Sequence, residues 1–175
     1  EHVRSVADSF EPPADEQFVQ RAQMGDLDAF SELVRRYQNK VYRYVLQTIG
    51  CPDDAQDVTQ DTFVRAFNQI DGWRSKALFR TWLFRIATNA AIDLLRKRRV
   101  WRQVSIDEVV ESLHLDVDIE SRLDSRARFT RMVGALSKLP PIFRQALLLR
   151  ELEGMSYASI AEVLAIAEGT VKSRI

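Results

Sequence analysis

"GMSYASIAEVLAIAEGTVKSRI", residues 154–175, sets two short helices against each other across a tight turn, and its reading decides the fold. Ser156 is a capping residue, and Ile160, Ala161 and Leu164 form an inward face. Ala165, Ile166 and Ala167 make the turn, and Gly169, Thr170 and Val171 open the next helix. This is helix-turn-helix spacing. A small residue at Ala161 lets the two helices cross closely. Lys172, Ser173 and Arg174 stand near the start of the second helix, where side chains reach base edges and phosphates. An ordinary helical hairpin shares the spacing, so DNA binding rests here on a few polar residues. Ala165 takes the turn position that glycine usually holds, and a left-handed alanine costs on the order of 1 kcal/mol. The pattern therefore predicts either a differently shaped turn or strain offset by packing of Ile166. The chain reaches Ile175 about two turns into a helix that the pattern expects to continue.

Working outward, helices supply the whole vocabulary. "LPP" at 139–141 separates helices expected near 126–137 and 141–153, because proline can start a helix but not continue one. Further upstream, after "GDLD", Phe30, Leu33, Tyr37, Val41, Tyr44 and Thr48 recur in steps of three and four, with Asp26 or Asp28 placed to cap. "GCPDD" ends that helix, and another is expected from Asp54 to Ile70 with Phe63, Phe67 and Ile70 inward. Asp54, Asp57, Asp61 and Arg65 then share an outward stripe. Residues 71–80 read as a loop. A long helix follows from Thr81 to Arg99, burying Leu83, Ile86, Ala87, Ala90 and Leu94 and holding Arg85, Asn89 and Arg96 on another face. No segment alternates with period two over enough residues to make a strand.

Lysine and arginine balance aspartate and glutamate at 25 each, but the balance is only global. Residues 1–73 carry 7 bases and 13 acids, and 74–102 carry 9 bases and one acid, Asp93. Residues 103–125 hold one base and seven acids, and 126–175 hold 8 bases and 4 acids. Charge segregated by segment speaks about partners rather than fold. The basic block interleaves Arg74, Lys76, Arg80, Arg85, Arg96, Lys97, Arg98, Arg99 and Arg102 with Trp73, Phe79, Trp82, Phe84 and Trp101. Cations hold phosphates while rings or pockets receive unstacked bases, which suits single-stranded DNA. A solvated face over core aromatics is the plainer account for Phe79, Trp82 and Phe84. Asn89 differs, because an amide beside arginines can hydrogen-bond a base edge.

Several classes are disfavoured. Six glycines leave little material for a phosphate loop, and there is no nucleophile elbow, so an enzyme is not expected and no cofactor is implied. His2 and His114 are too isolated to ligate a metal, and Cys51 has no partner for a disulfide. No run approaches about 18 consecutive apolar residues, and the start lacks a basic-then-apolar signal, so the expected location is cytoplasmic, without membrane insertion.

Four stretches carry a resemblance in their order along the chain. They are "DEQFVQRAQMGDLDAFSELVRRYQNKVYRYV" (15–45), "DDAQDVTQDTFVRAF" (53–67), "FRTWLFRIATNAAIDLLRKRR" (79–99) and "LPPIFRQALLLRELEGMSYASIAEVLAIAEGTVKSRI" (139–175). Together they resemble the bacterial sigma-70 family in its short extracytoplasmic-function form, with regions 2 and 4 joined by a linker. The expected architecture is all-α: a loose arm at 1–14, region 2 at 15–100, an acidic linker at 101–125, and region 4 with its helix-turn-helix at 126–175.

The resemblance also implies roles. Asp57, Gln60 and Asp61, with Phe63 and Arg65, would dock on the clamp helices of the polymerase beta-prime subunit. Trp73, Arg74, Lys76, Arg80, Arg85 and Asn89 would capture a flipped base of the −10 element. Arg96, Lys97, Arg98 and Arg99 would grip the backbone. Thr170, Lys172, Ser173 and Arg174 would read the −35 element, and region 4 would also touch the polymerase beta flap. The linker would follow positively charged channels of the polymerase. An anti-sigma factor, often membrane-anchored, would hold such a protein inactive, at the inner membrane face when so anchored and otherwise free to act at the nucleoid. The competing reading is a stand-alone helix-turn-helix regulator, which needs neither the acidic stripe nor the basic aromatic segment of residues 53–99.

Overall fold

The computed structural model of the chain describes residues 14–74, 78–104, Gly134, Leu136 and 139–175, with the backbone alone from 99 to 104. Seven α-helices lie among these residues, and no strand. They are α1 (Asp15–Gln23), α2 (Leu27–Ile49), α3 (Pro52–Gln69), α4 (Phe79–Val104), α5 (Pro141–Glu151), α6 (Tyr157–Leu164) and α7 (Glu168–Arg174). A 3₁₀ turn at Ile70–Gly72 follows α3.

Local chemistry sets the ends. Asp26 caps α2 by accepting a 3.0 Å hydrogen bond from the Ala29 amide, and Gly50 closes it with a left-handed φ of 80°. Pro52 stands in the first turn of α3 beside Asp53 and Asp54, where carboxylates favour the positive end of the helix dipole. The face predicted for α2 is the one buried: Phe30, Leu33, Tyr37, Val41, Tyr44 and Thr48. Tyr44 meets Phe84 edge to face at 5.4 Å, and its hydroxyl lies 2.8 Å from Thr88 Oγ1. Thr88 donates onward to the Phe84 carbonyl, so the Tyr44 hydroxyl is the donor in that contact. Gln23 ties α1 to the segment before α4, donating to the carbonyls of Ile70 at 2.8 Å and Trp73 at 3.1 Å.

Two expectations shift. Phe67, expected inward, is 45% exposed, because its ring leans edge-on to Phe30 at the surface end of the core. The long helix starts at Phe79 rather than Thr81 and runs to Val104, so the first residues of the expected linker, 101–104, are helical. Nothing in 94–104 breaks the helix, and the run of arginines and lysine consists of good helix formers. The rest of the acidic linker and most of the helix expected at 126–137 lie outside the described residues, as do Lys76, both histidines and residues 1–13 of the N-terminal arm.

The larger finding is how the pieces join. The N-terminal unit, α1 to α4, and the C-terminal unit, α5 to α7, pack together: α5 lies against α2, and α6 runs along α4. Ala146, Leu148, Leu149, Met155, Ile160, Val163 and Val171 belong to the same buried cluster as Leu33, Tyr44, Leu83 and Phe84. That explains why α4 buries more than one stripe. Of the predicted face it buries Leu83, Ile86, Ala87 and Ala90 and leaves Leu94, nearer its end, half-buried; it also buries Phe79, Thr81, Phe84, Thr88 and Ala91.

In the turn between α6 and α7, Ala165 adopts φ 53° and ψ 46°, the only positive-φ non-glycine residue among those described. The strain is held at that end of the helix by Ile166, whose amide donates to the Ala161 carbonyl at 3.1 Å and whose side chain is half-buried against the core. Replacing Ala165 by glycine removes the Cβ clash of a left-handed residue but loosens the unfolded chain. The net expectation is a gain of roughly 0.5–1 kcal/mol, read as a rise in the urea midpoint.

Candidate functional site

Helix α3 presents an acidic face that the fold divides. Asp57 and Gln60 are exposed, and Asp61 pairs with Arg65 at 2.7 Å one turn on. Asp54, at the head of the same stripe, turns instead to the Arg98 guanidinium of α4. Phe63 is buried as a side chain of the core, yet its edge lines a groove of about 670 Å³ between α2 and α3 with Phe30, Val34, Tyr42, Val64 and Phe67. Val64 and Phe67 were not among the expected docking residues. The signal was present, since they follow Gln60 by four and seven positions and so extend its face with apolar groups.

The basic residues also separate by environment. Arg85, Asn89 and Lys97 are exposed, and Arg96 is 73% exposed with Asp93 at the long distance of 3.9 Å. Arg85, Arg96 and Lys97 are available cations on one helix, beside the neutral amide of Asn89. Arg74 folds back onto the carbonyls of Asp71 and Trp73 at 2.9 and 3.0 Å. Arg80 donates across the junction between the units to the Glu153 carbonyl at 3.1 Å. Arg98 is engaged by Asp54, and the side chain of Arg99 lies outside the described residues. Trp73 is 7% exposed, and its buried indole N–H has no hydrogen-bond partner, which costs free energy in a closed interior.

Trp73 lines a cavity of about 250 Å³ whose other walls are Gly72, Arg74, Thr81, Trp82, Arg85 and, from α6, Glu162. Sequence reasoning did not find Glu162. It stands on the polar side of a short helix, and no spacing signals that this side faces residues so far upstream.

Helix α7 displays a separate polar surface. Val171 is fully buried and anchors it, leaving Lys172 and Ser173 exposed and Thr170 and Arg174 half-buried. Lys172 pairs with Glu168 on its own helix at 3.2 Å, and Ser173 donates to the Thr170 carbonyl at 2.9 Å. Both contacts are local and solvent-exposed, so exchange for a phosphate costs little.

One ionisable group sits in the junction itself. Burial raises the Glu153 carboxyl above its ordinary value of 4.5, against the pull of Lys40, Arg80 and Arg43. An acid whose folded value is raised penalises the fold once ionised, and the penalty is absent below the unfolded value. Glu153→Gln is therefore expected to raise the thermal midpoint at neutral pH. The difference from the parent should shrink as pH falls through the raised value and vanish below 4.5. Melting curves across that range check it.

Among the described residues no group of histidine, cysteine, aspartate and glutamate converges as metal ligands would. Comparison with known proteins gives a consistent set of matches. Residues 33–100 match the family model described as Sigma-70 region 2, and residues 130–175 match Sigma-70, region 4. The chain is 38% identical to the "ECF RNA polymerase sigma-E factor" of Haemophilus influenzae over 92% of this chain and 89% of that protein. It is 29% identical to the "ECF RNA polymerase sigma factor SigW" of Bacillus subtilis, over 90% and 88% of the two chains. Among solved structures it resembles CnrH in complex with the cytosolic domain of CnrY, with a TM-score of 0.69, 29% identity and coverage of 93% and 90%. It also resembles RpoE in complex with the anti-sigma factor NepR from Bartonella quintana, with a TM-score of 0.70, 27% identity and coverage of 83% and 89%.

Proposed function

The chain belongs to the sigma-70 family, with a region 2 and a region 4 in that order, and from this we infer that it is an RNA polymerase sigma factor of the extracytoplasmic-function type. Such a protein binds core polymerase, recognises promoter DNA and starts transcription under the control of an anti-sigma factor, the partner held by its structural relative RpoE. Sigma factors are initiation factors. Nucleotide joining, on our reading, is left to the polymerase, and this chain chooses the site.

The residue assignments are ours. Exposed Asp57 and Gln60, the Asp61–Arg65 pair and the apolar groove edged by Phe63 suit a helical partner, an acidic rim beside an apolar seat, and we assign them to the beta-prime clamp helices. Asn89 and Arg85, with Arg74, Arg80, Trp73 and Lys76, are assigned to the −10 element, and Arg96, Lys97, Arg98 and Arg99 to its backbone. Trapping an unstacked base turns a transient opening of the duplex into a bound state. Thr170, Lys172, Ser173 and Arg174 are assigned to the −35 element. Two weak readers on one polymerase multiply specificity through effective concentration. We place the domain boundary after Val104, where α4 ends. No described helix is long and apolar enough to cross a membrane. We read the chain as acting at the nucleoid, and as held at the inner membrane face when its anti-sigma factor is anchored there.

One observation carries the reading: both regions lie in one chain, and the first exposes acidic and basic faces that a stand-alone regulator has no use for. The test mixes the chain with bacterial core polymerase and measures co-elution and run-off transcription from a promoter library. Selective initiation is expected. DNA binding without retention or redirection of polymerase would leave the stand-alone regulator as the better account.

A further inference from the structure

Helix α1 ends in a fixed corner. Gly25 takes a left-handed φ of 89°, its amide returns to the Ala22 carbonyl at 2.9 Å, and the Asp26 amide returns to the Arg21 carbonyl at 3.1 Å. Asp26 then caps α2 and accepts from the Arg21 guanidinium at 2.7 Å, so the last turn of α1 is tied to the first turn of α2. Gln23 stands in this corner, half-buried, and its amide nitrogen donates to two carbonyls 47 and 50 positions on: Ile70 at 2.8 Å and Trp73 at 3.1 Å. Both hydrogens of the amide are thereby used. Each carbonyl has another donor as well, the Trp73 amide on Ile70 and the Arg74 guanidinium on Trp73, both at 3.0 Å. The Gln23 bonds are therefore not needed to satisfy buried acceptors. What they add is direction, because two bonds from one fixed point set how the Ile70–Gly72 turn lies against α1.

We propose that Gln23 is a positioning residue for strand capture: it holds the turn at Ile70–Gly72 so that Trp73 and Arg74 meet α4 in the arrangement an unstacked base requires. Gln23 touches no DNA and acts through the backbone. Trp73 and Arg74 wall one cavity with Thr81, Trp82 and Arg85 of α4, and the chain arrives there from α3 through this turn. A 3₁₀ turn of three residues has few bonds of its own, so its orientation is set from outside. Burial of Ile70 and the Trp73 ring is non-directional and holds the turn down, whereas the paired hydrogen bonds hold it at one angle. A wall displaced by about 1 Å no longer presents its groups in productive geometry. The proposal rests on the assignment of Trp73 and Arg74 to the −10 element for what is captured. The positioning of the turn does not.

The test compares Gln23→Met with Val19→Ala. Methionine keeps the length and helix propensity of glutamine but has no donor. Val19 is fully buried on the same helix, so its truncation weakens the core and leaves the Gln23 amide in place. In the chain alone, Gln23→Met should speed hydrogen exchange of the amides at 71–74 by about tenfold. Val19→Ala should lower the thermal midpoint more than Gln23→Met does, yet leave exchange at those amides within about twofold. With core polymerase bound, Gln23→Met should weaken binding of the labelled non-template strand of a promoter selected by the parent by about tenfold, while retention on polymerase stays within about twofold. Val19→Ala should leave both within about twofold. Unchanged exchange at the turn in Gln23→Met, strand binding equal to the parent's, or a loss of strand binding that Val19→Ala shares overturns the proposal. If exchange quickens but the parent complex captures no strand, the positioning of the turn stands and the assignment of Trp73 and Arg74 to the −10 element falls.

Discussion

Alanine at Arg85, Arg96 and Lys97 together is expected to reduce the affinity of the polymerase-bound chain for promoter DNA by about a hundredfold at low salt, and to flatten the salt dependence of binding. The three side chains share α4, project into solvent and have no close ion pair, so each can hold a phosphate without first abandoning a protein partner. Each phosphate contact to a single strand contributes a slope of about 0.7 in log affinity against log salt, so losing three lowers the slope by about 2. The stability of the chain should hardly change, because exposed cations far from a partner contribute little. Arg98→Ala makes the comparison. Its guanidinium bridges α4 to Asp54 of α3, so its removal is expected to lower the thermal midpoint and to change the salt slope less than removal of Arg96. Filter binding or anisotropy across a salt series, beside a melting curve for each variant, separates the two effects. An unchanged slope in the triple variant would remove these residues from the strand site.

Phe84→Ala is expected to be the most damaging single change to the fold. The ring is fully buried on α4, meets Tyr44 edge to face at 5.4 Å, and sits within the cluster that both units share. Truncating a buried phenylalanine costs about 3–5 kcal/mol, and the lost aromatic pair adds about 1 kcal/mol, against a total stability of only about 5–15 kcal/mol. For a chain of this length each kcal/mol shifts the midpoint by a few degrees, so a fall of roughly 10 °C is expected by circular dichroism. Tyr44 would then retain its hydroxyl contact to Thr88 but lose the ring that holds it in place. A melting point within a degree or two of the parent would show that the core repacks around the gap.

The periodic parts of this protein were legible without coordinates. The buried face of α2 is the one its spacing predicts, residue by residue from Phe30 to Thr48, because 3.6 residues per turn fixes which side chains share a side whatever lies opposite. The Ser156 cap and the polar edge of α7 were equally legible, whereas at Ala165 the spacing left two turn shapes open and the chain takes the left-handed one. The segregation of acidic and basic segments was also plain. Phe67 marks the limit. Its place in the repeat points inward, but the repeat does not say how far the neighbouring helix extends to cover it, and it stays half in solvent.

Sequence by itself determined the helices, their faces, the helix-turn-helix register and the sign of charge on each segment, all of which follow from local spacing and composition. Only the tertiary structure decided which charges are free. Arg96 and Arg98 are two residues apart in one basic run, yet one reaches solvent and the other reaches Asp54, more than forty positions away. Only the tertiary structure, likewise, laid α6 along α4 and brought Glu162 into the lining of the cavity that Arg74 and Arg85 also edge. The physical reason is the same in both cases. A helix presents its side chains by a fixed local geometry, whereas a contact between distant segments depends on the complementary shape of two surfaces that the chain must first fold to create.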